Sequence, residues 1–431
     1  MSAQIQSLFR RMLSAATGPL VSFLVLLALP LCGAAFLPTD QFAMWTILST
    51  ITTVALSLDF GGVALTSARF GTISTVRLVV QSSALSSVGA LVVGIVSAFL
   101  WIPYSQTASA RAFSFEEGLA AIALCSLAAI FRSTLAVLAQ TALHLNQAYA
   151  RMFLTAGQAF LCFGIALAFL VSRPSAWALP VGWSVSSAVV LIIGVIWMAW
   201  KGAFQATVSG QGHNPTSTFT FVWSRTLASL LGSAILQGDR WIIGAVAGPE
   251  FLAAYEVAWR VAALPRFLIQ NLAIAVSGDA GHLYRTAPRR IPRVLRSSTL
   301  ICAGIAILAS VGVSAFYFVV AEPLGVDVLP TVFFSLLGAF TLIGITAPLS
   351  FLAVAIGLPT LDIAYLILTA SIFSVAGIAS LYLHSAILFA VGNALSISVG
   401  ALWYLHYGSS KVYERCRHAA RAATLRMIES T

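Results

Sequence analysis

Apolar residues recur along the whole chain in runs of roughly 20, each long enough to cross a hydrocarbon core of about 30 Å as a helix. Breaking the chain at its polar, Gly and Pro joints predicts spans near 12–37, 41–66, 77–102, 117–141, 148–172, 177–200, 219–247, 250–277, 297–320, 328–356, 360–383 and 385–406. That pattern predicts an all-α polytopic membrane protein of about 12 transmembrane helices. Only Leu383, His384 and Ser385 part the last two spans. The first run follows Arg10 and Arg11, as the core of a secretory signal would. It is counted as a span because Leu13 to Leu37 exceeds such a core and Leu31 stands where a lipoprotein signal needs a small residue.

Composition excludes a soluble domain: 59% of the 431 residues are hydrophobic, 8% are charged and mean hydropathy is +0.96. The charges that remain report orientation. With the N-terminus inside, inner loops and the tail hold Arg10, Arg11, Arg69, Arg77, Arg151, Lys201, Arg285, Arg289, Arg290, Arg293, Arg296, Lys411, Arg415, Arg417, Arg421 and Arg426, against Arg111 and Arg173 outside. This 16 to 2 split predicts two cytoplasmic termini and an even span count. The net charge of +10 therefore reflects topology, and no nucleic-acid partner is expected. The basic stretches 278–298 and 407–431 are topogenic on this view; contact with anionic lipid is the alternative, and the tail also fits an interfacial helix.

Catalytic and metal chemistry find little support. Five cysteines are scattered without a CxxC pair, and no histidines stand at zinc-helix spacing, so neither disulfide, metal nor other cofactor is expected. Glu116 and Glu117 are neighbours and point about 100° apart on a helix, which does not suit an acid–base pair. Asn214, Pro215 and Thr216 form no glycosylation site because of the proline.

A weak internal repeat aligns TDQFAMW at 39–45 with PEFLAAY at 249–255, placing Asp40 on Glu250 and Trp45 on Tyr255. It predicts two six-helix halves: residues 1–205 and 219–406, joined by a cytoplasmic linker at 206–218 and followed by a basic tail at 407–431.

Charges inside the spans carry the candidate chemistry. An Arg or Asp near the bilayer centre costs about 2.5 to 3.5 kcal/mol on insertion scales, so such residues must be paired or face water. They are Arg132, Arg225, Asp239, Arg240, Glu256, Arg260 and Arg266. A turn at Gly248 and Pro249 makes spans seven and eight an antiparallel hairpin, in which residue numbers summing to about 496 share a depth. Arg240 then lies level with Glu256, Asp239 within about a turn of Arg260, and Glu256 is i, i+4 to Arg260. The four charges sit roughly 10 to 18 Å below the outer surface and sum to zero. Two roles fit them: gripping a substrate, or bracing the hairpin. Arg132, well inside the fourth span, Arg225 and Arg266 have no acidic partner in their own spans, although the last two could also snorkel to the cytoplasmic interface. The interior is thus cationic, and arginine forks suit phosphate oxygens. Pro19, Pro180, Pro265 and Pro348 are kinks or hinges.

The patches Leu58, Asp59, Phe60, Gly61 and GDRWIIGAVAGPEFLAAYEVAWR at 238–260 resemble the polysaccharide flippase family of the multidrug/oligosaccharidyl-lipid/polysaccharide exporter superfamily. The family's Asp, following polar residue, Gly turn and aromatic fall on Asp239, Arg240, Gly248 and Tyr255, with Ala253 and Ala254 where Gly is common. The resemblance implies two pseudo-symmetric six-helix bundles around a central cavity, with alternating access in a bacterial inner membrane moving a polyprenyl-pyrophosphate-linked oligosaccharide outward for surface or exopolysaccharide synthesis. Arg132, Arg225, Arg240, Arg260 and Arg266 are then the candidate substrate contacts. Asp59, Asp239 and Glu256 are either carboxylates for a coupling proton or Na⁺, or members of structural ion pairs. Two alternatives are a cation-coupled small-molecule exporter of the same superfamily and a membrane glycosyltransferase or polymerase acting on lipid-linked sugars.

Overall fold

The computed structural model describes residues 22, 24–25, 27–57, 72–145, 147–209, 218–270, 272–273, 284, 287–321, 330–356, 358 and 360–429. Most of the first expected span and all of Leu58 to Gly61, including Asp59, lie outside them.

A short helix α1 (Leu27–Phe36) leads across Pro38 into α2 (Thr39–Ser57), whose first turn carries Asp40 at the favourable end of the helix dipole. Phe42, Ala43, Met44, Trp45, Ile47 and Leu48 on successive faces of α2 are all buried, which marks a helix enclosed on every side rather than one facing lipid. Its hydroxyls are satisfied locally: Ser49 and Thr50 each donate to a carbonyl three residues back, at 2.7 Å, and Thr53 to one four back at 2.8 Å.

Four long apolar helices follow: α3 (Thr75–Tyr104), α4 (Phe115–His144), α5 (Ala148–Ser172) and α6 (Ala178–Trp200). Helix α4 opens with a capping box, in which the Ser114 amide donates to Glu117 Oε2 at 2.8 Å and the Glu117 amide to Ser114 Oγ at 3.2 Å. Gln158 on α5 donates to Ser186 and Ser187 on α6, at 3.3 Å each, a polar bond between helices in an apolar setting. Two strands not anticipated from the sequence, β1 (Thr72–Ser74) and β2 (Thr207–Ser209), pair antiparallel with Thr72 opposite Ser209. They tie the start of α3 to the exit of α6, and β2 occupies part of the expected linker.

The next helix, α7 (Thr218–Ala262), is two arms meeting at Gly248, whose φ of 80° and ψ of −175° lie in a region essentially reserved for glycine. Pro249 starts the second arm, where its missing N–H is no loss. The arms fold back as an antiparallel hairpin: a Cβ on Gly244 would sit 3.0 Å from Leu252. Residues 264–270 continue as helix and contain Arg266.

Then come α8 (Ile291–Ala321), α9 (Pro330–Ala355), α10 (Thr360–Leu383) and α11 (Ala386–Glu429). His384, at φ 49°, separates α10 from α11, as the short joint there required. Beyond residue 406, α11 runs on without a break, so the basic segment continues the last helix rather than forming a separate one. Its buried positions Val412 and Cys416 pack with Ile291, Leu295 and Leu349.

Eight helices among the described residues have the length and apolarity to cross a membrane: α3 to α6 and α8 to α11, with the last counted over Ala386–Arg421. Leu300, Ile307, Leu308 and Val311 on α8 are 59 to 75% exposed. Such a stripe would be an aggregation liability in water and is a lipid-facing surface in a bilayer. Helix α2 and the arms of α7 are less apolar because they carry the hydroxyls and charges. They form the contact between the two ends of the chain: the principal packing of α2 and of the short turn Ala108–Ala110 against later helices is on α7.

Candidate functional site

The α7 hairpin brings its charges together as the antiparallel register requires. Arg240 Nε donates to Glu256 Oε2 at 2.8 Å, and Arg240 Nη1 donates to Asp239 Oδ1 at 3.0 Å and to the Leu236 carbonyl at 2.6 Å. The Tyr255 hydroxyl donates to Asp239 Oδ2 at 2.6 Å, joined by Asn393 Nδ2 of α11 at 3.3 Å. The other oxygen of Glu256 accepts from Arg260 Nε at 2.6 Å. The Arg240 guanidinium also lies 4.0 Å from the Trp259 ring centre. Asp239, Arg240 and Glu256 are 0% exposed.

Asp239 and Glu256 accept from Arg240, Arg260, Tyr255 and Asn393, whereas Arg240 Nη2 is buried without an acceptor among the described residues. Within this group Asp239 pairs with Arg240, and Arg260 with Glu256. A physical reason is at hand: adjacent Asp239 and Arg240 share one oxygen through both the Arg240 amide, at 2.9 Å, and its side chain, leaving Arg260 free to swing toward Glu256. Arg260, at 20% side-chain exposure, is the member that reaches outward, and its Nη2 donates to Ser49 of α2 at 3.3 Å.

Two further bonds join the same end of the hairpin to the first half of the chain. Trp241 Nε1 donates to Thr50 Oγ1 at 2.9 Å, and Ser109 Oγ donates to the Gly244 carbonyl at 2.7 Å. Tyr104 packs edge-on to Trp241 at 5.0 Å between centres. Trp241 is seven residues from the Gly248 turn, about 10 Å along the helix, so this seam lies toward the Gly248 end.

Arg132 and Arg266 stand apart from the cluster. Arg132 of α4 lies over the Trp183 ring of α6 at 4.8 Å. Arg266 lies between Phe267 and Phe340, at 5.5 and 5.8 Å, with its Nε buried and lacking an acceptor among the described residues. Neither forms an ion pair within 4.0 Å among the described residues. Aromatic faces thus do part of the work that a carboxylate would otherwise do. The backbone of Arg225 falls in α7, but its side chain lies outside the described residues, as does Asp59.

Arg266 lines a cavity of about 280 Å³ that is also lined by a residue absent from the sequence expectations, Asp362. Asp362 is 6% exposed and accepts from the Tyr404 hydroxyl at 2.6 Å and from Ser350 Oγ at 3.1 Å. Its signal was present: a carboxylate in the first turn of an apolar span, three residues after Pro359. It reads as a helix-start residue by position, and only packing reveals that α9 and α11 bury it.

The fold is that of a polytopic membrane protein and is shared with MATE-type transporters. Its backbone superposes on an outward-facing multidrug resistance MATE family transporter with a TM-score of 0.63, at 15% identity over 96% of this chain and 97% of that one. A MATE protein in complex with Br-NRF gives 0.61 at 16%, covering 95% and 96%, and a MATE protein in the straight conformation gives 0.60 at 13%, also covering 95% and 96%. At this identity the likeness establishes the fold. The sequence profile of a family described as polysaccharide biosynthesis protein matches residues 80–329, more than half of the chain, and the protein belongs to that family. No curated protein sequence matches it.

Proposed function

We propose that the protein is an alternating-access transporter of a bacterial inner membrane that moves polyprenyl-pyrophosphate-linked oligosaccharide outward, through 12 spans arranged as two six-helix bundles with both termini cytoplasmic. Family membership and the exporter fold support the transport part. The seam of Ser49, Thr50 and Ser109 against α7 supports a state closed at the outer, Gly248 end.

The observation that carries the choice of cargo is a pair of interior cations, Arg132 and Arg266, that have no ion-pair partner among the described residues. Arg132 and Arg266 are held by aromatic rings rather than by carboxylates, and a pyrophosphate would complete them. Arg260, partly exposed beside them in the sequence of charges, is the third contact. Arg240 serves in this state as the brace that orients Arg260 through Glu256, and Arg225 remains a candidate contact. A coupling proton or Na⁺ would have to compete with Arg240 for Asp239 and Glu256.

A second reading is favoured by a specific observation. Structural likeness over nearly the whole chain is to MATE proteins, one of them described as a multidrug resistance transporter, which backs a cation-coupled small-molecule exporter at least as strongly as the family description backs the flippase. The glycosyltransferase or polymerase alternative has no such support, since the fold is that of exporters.

Deleting the gene separates the two. The flippase reading expects loss of surface polysaccharide with unchanged drug susceptibility, and expects Arg132→Ala and Arg260→Ala chains to insert in the membrane without restoring export. Normal polysaccharide together with raised drug susceptibility would replace it by the exporter reading.

A further inference from the structure

We propose that the surface formed by the start of α8 and the basic turns of α11 binds an anionic phospholipid, with Arg293 and Arg296 on its phosphate. The site stands whichever cargo the protein carries.

Helix α8 turns one face to lipid, and the two arginines continue that face. Arg296 is four residues and Arg293 seven residues before Leu300, which is 63% exposed. At 3.6 residues per turn the three side chains project within about 60° of one another, in the sector that also holds Ile307 and Val311. Buried Ile291, Leu295, Ser298 and Cys302 occupy the opposite side. Both arginines are exposed, and they lie about 6 and 10 Å from Leu300 along the axis.

Helix α11 marks the depth independently. Ile291 and Leu295 share a buried cluster with Val412 and Cys416, so the arginines lie near the level of Lys411 and Arg415. One turn back toward the apolar span, Tyr407 stacks on Trp403 at 4.8 Å between ring centres, and Lys411 Nζ lies 5.8 Å from the Tyr407 ring centre. Tryptophan and tyrosine favour the boundary between hydrocarbon and water, and a cation one turn past them meets headgroups.

Topology requires basic residues at this end of the spans but does not require them on the lipid-facing stripe. Glu414 is engaged by Lys411 at 2.9 Å, whereas Arg290, Arg293, Arg296 and Arg415 form no ion pair within 4.0 Å among the described residues. Guanidinium forks in this position complement a phosphodiester. A soluble acidic protein would approach from the water beyond the helix ends. Side chains in line with Leu300 and Ile307 face a neighbouring lipid instead.

The test equilibrates the full-length protein with detergent micelles holding equal amounts of dioleoyl phosphatidylglycerol and dioleoyl phosphatidylcholine, recovers it on affinity resin and quantifies the retained lipids by mass spectrometry. Phosphatidylglycerol should be enriched at least about fivefold, and the Arg293→Gln, Arg296→Gln protein should bring the ratio within about twofold of unity. Arg111→Gln, at an exposed position between α3 and α4, should leave the enrichment intact. Should the double variant aggregate, the wild type in about 1 M NaCl gives the second reading, because screening at that strength should abolish an enrichment that rests on exposed charge. No enrichment in the wild type, or enrichment that survives either the double substitution or the salt, would overturn the proposal. Displacement of phosphatidylglycerol by an equal amount of farnesyl pyrophosphate would assign the face to a pyrophosphate carrier lipid, and displacement by soluble polyglutamate would assign it to an acidic protein; either result would overturn it too.

Discussion

Glu256 is the keystone of the charged hairpin, and replacing it with Gln tests whether the cluster braces the fold. Its two oxygens each accept a guanidinium Nε, from Arg240 at 2.8 Å and from Arg260 at 2.6 Å, and it is fully buried. In Glu256→Gln one acceptor becomes an amide donor that faces a guanidinium, and the buried cluster passes from neutral to positive. Breaking a buried pair while leaving its partner charged costs about 3 to 5 kcal/mol. Arg260→Gln should cost less, about 1 to 2 kcal/mol for one charge-assisted bond, because its side chain is already partly exposed and Glu256 retains Arg240. Thermal unfolding of the purified protein in one detergent, followed by intrinsic tryptophan fluorescence, measures both. The reasoning fails if Glu256→Gln melts with the wild type, or if Arg260→Gln is the more damaging of the two.

Other outcomes follow from the same geometry. Gly248→Ala should lower stability by about 1 to 3 kcal/mol, since φ of 80° with ψ of −175° suits no side chain, whereas Gly312→Ala, with open space at its Cβ, should be neutral or mildly stabilising; parallel melts compare them. A Thr50→Cys, Trp241→Cys protein treated with a short bis-methanethiosulfonate, which spans the gap left by the Trp241 ring, should crosslink across the seam that now holds a 2.9 Å bond and stop transporting until a reductant is added; efficient transport by the crosslinked form would show that the seam does not open. Trp183→Leu removes the ring beneath Arg132 and should weaken export less than Arg132→Ala does, by about the 0.5 to 2 kcal/mol of a cation–π contact; an equal or larger defect in export assays would make Trp183 the primary contact.

Linear pattern was sufficient for much of this. Runs of apolar residues located α3 to α6 and α8 to α11 because, in lipid, helical backbone must satisfy itself and each span is a local decision of about 20 residues. Residue spacing around Gly248 also placed Arg240 on Glu256, because a tight turn between two straight helices leaves a single register. The β1–β2 ladder escaped notice: strands of three residues, paired from Ser74 with Thr207 to Thr72 with Ser209, 133 to 137 positions apart, carry no periodicity to read.

What the sequence by itself determined is which stretches are long and apolar enough to span a membrane, how basic loops are distributed, and which charges must find partners. Tertiary structure alone decided which partners they found. Asp239 turned to Tyr255 and Asn393, the latter 154 residues away, and Asp362 gained Tyr404 from 42 residues away, because helices distant in the chain pack side by side and a buried carboxylate takes the nearest donors they present. The same packing left Arg266 beside a cavity with a donor unused. Inside a membrane protein, charge can be counted along the chain, but its neutralisation is settled only in three dimensions.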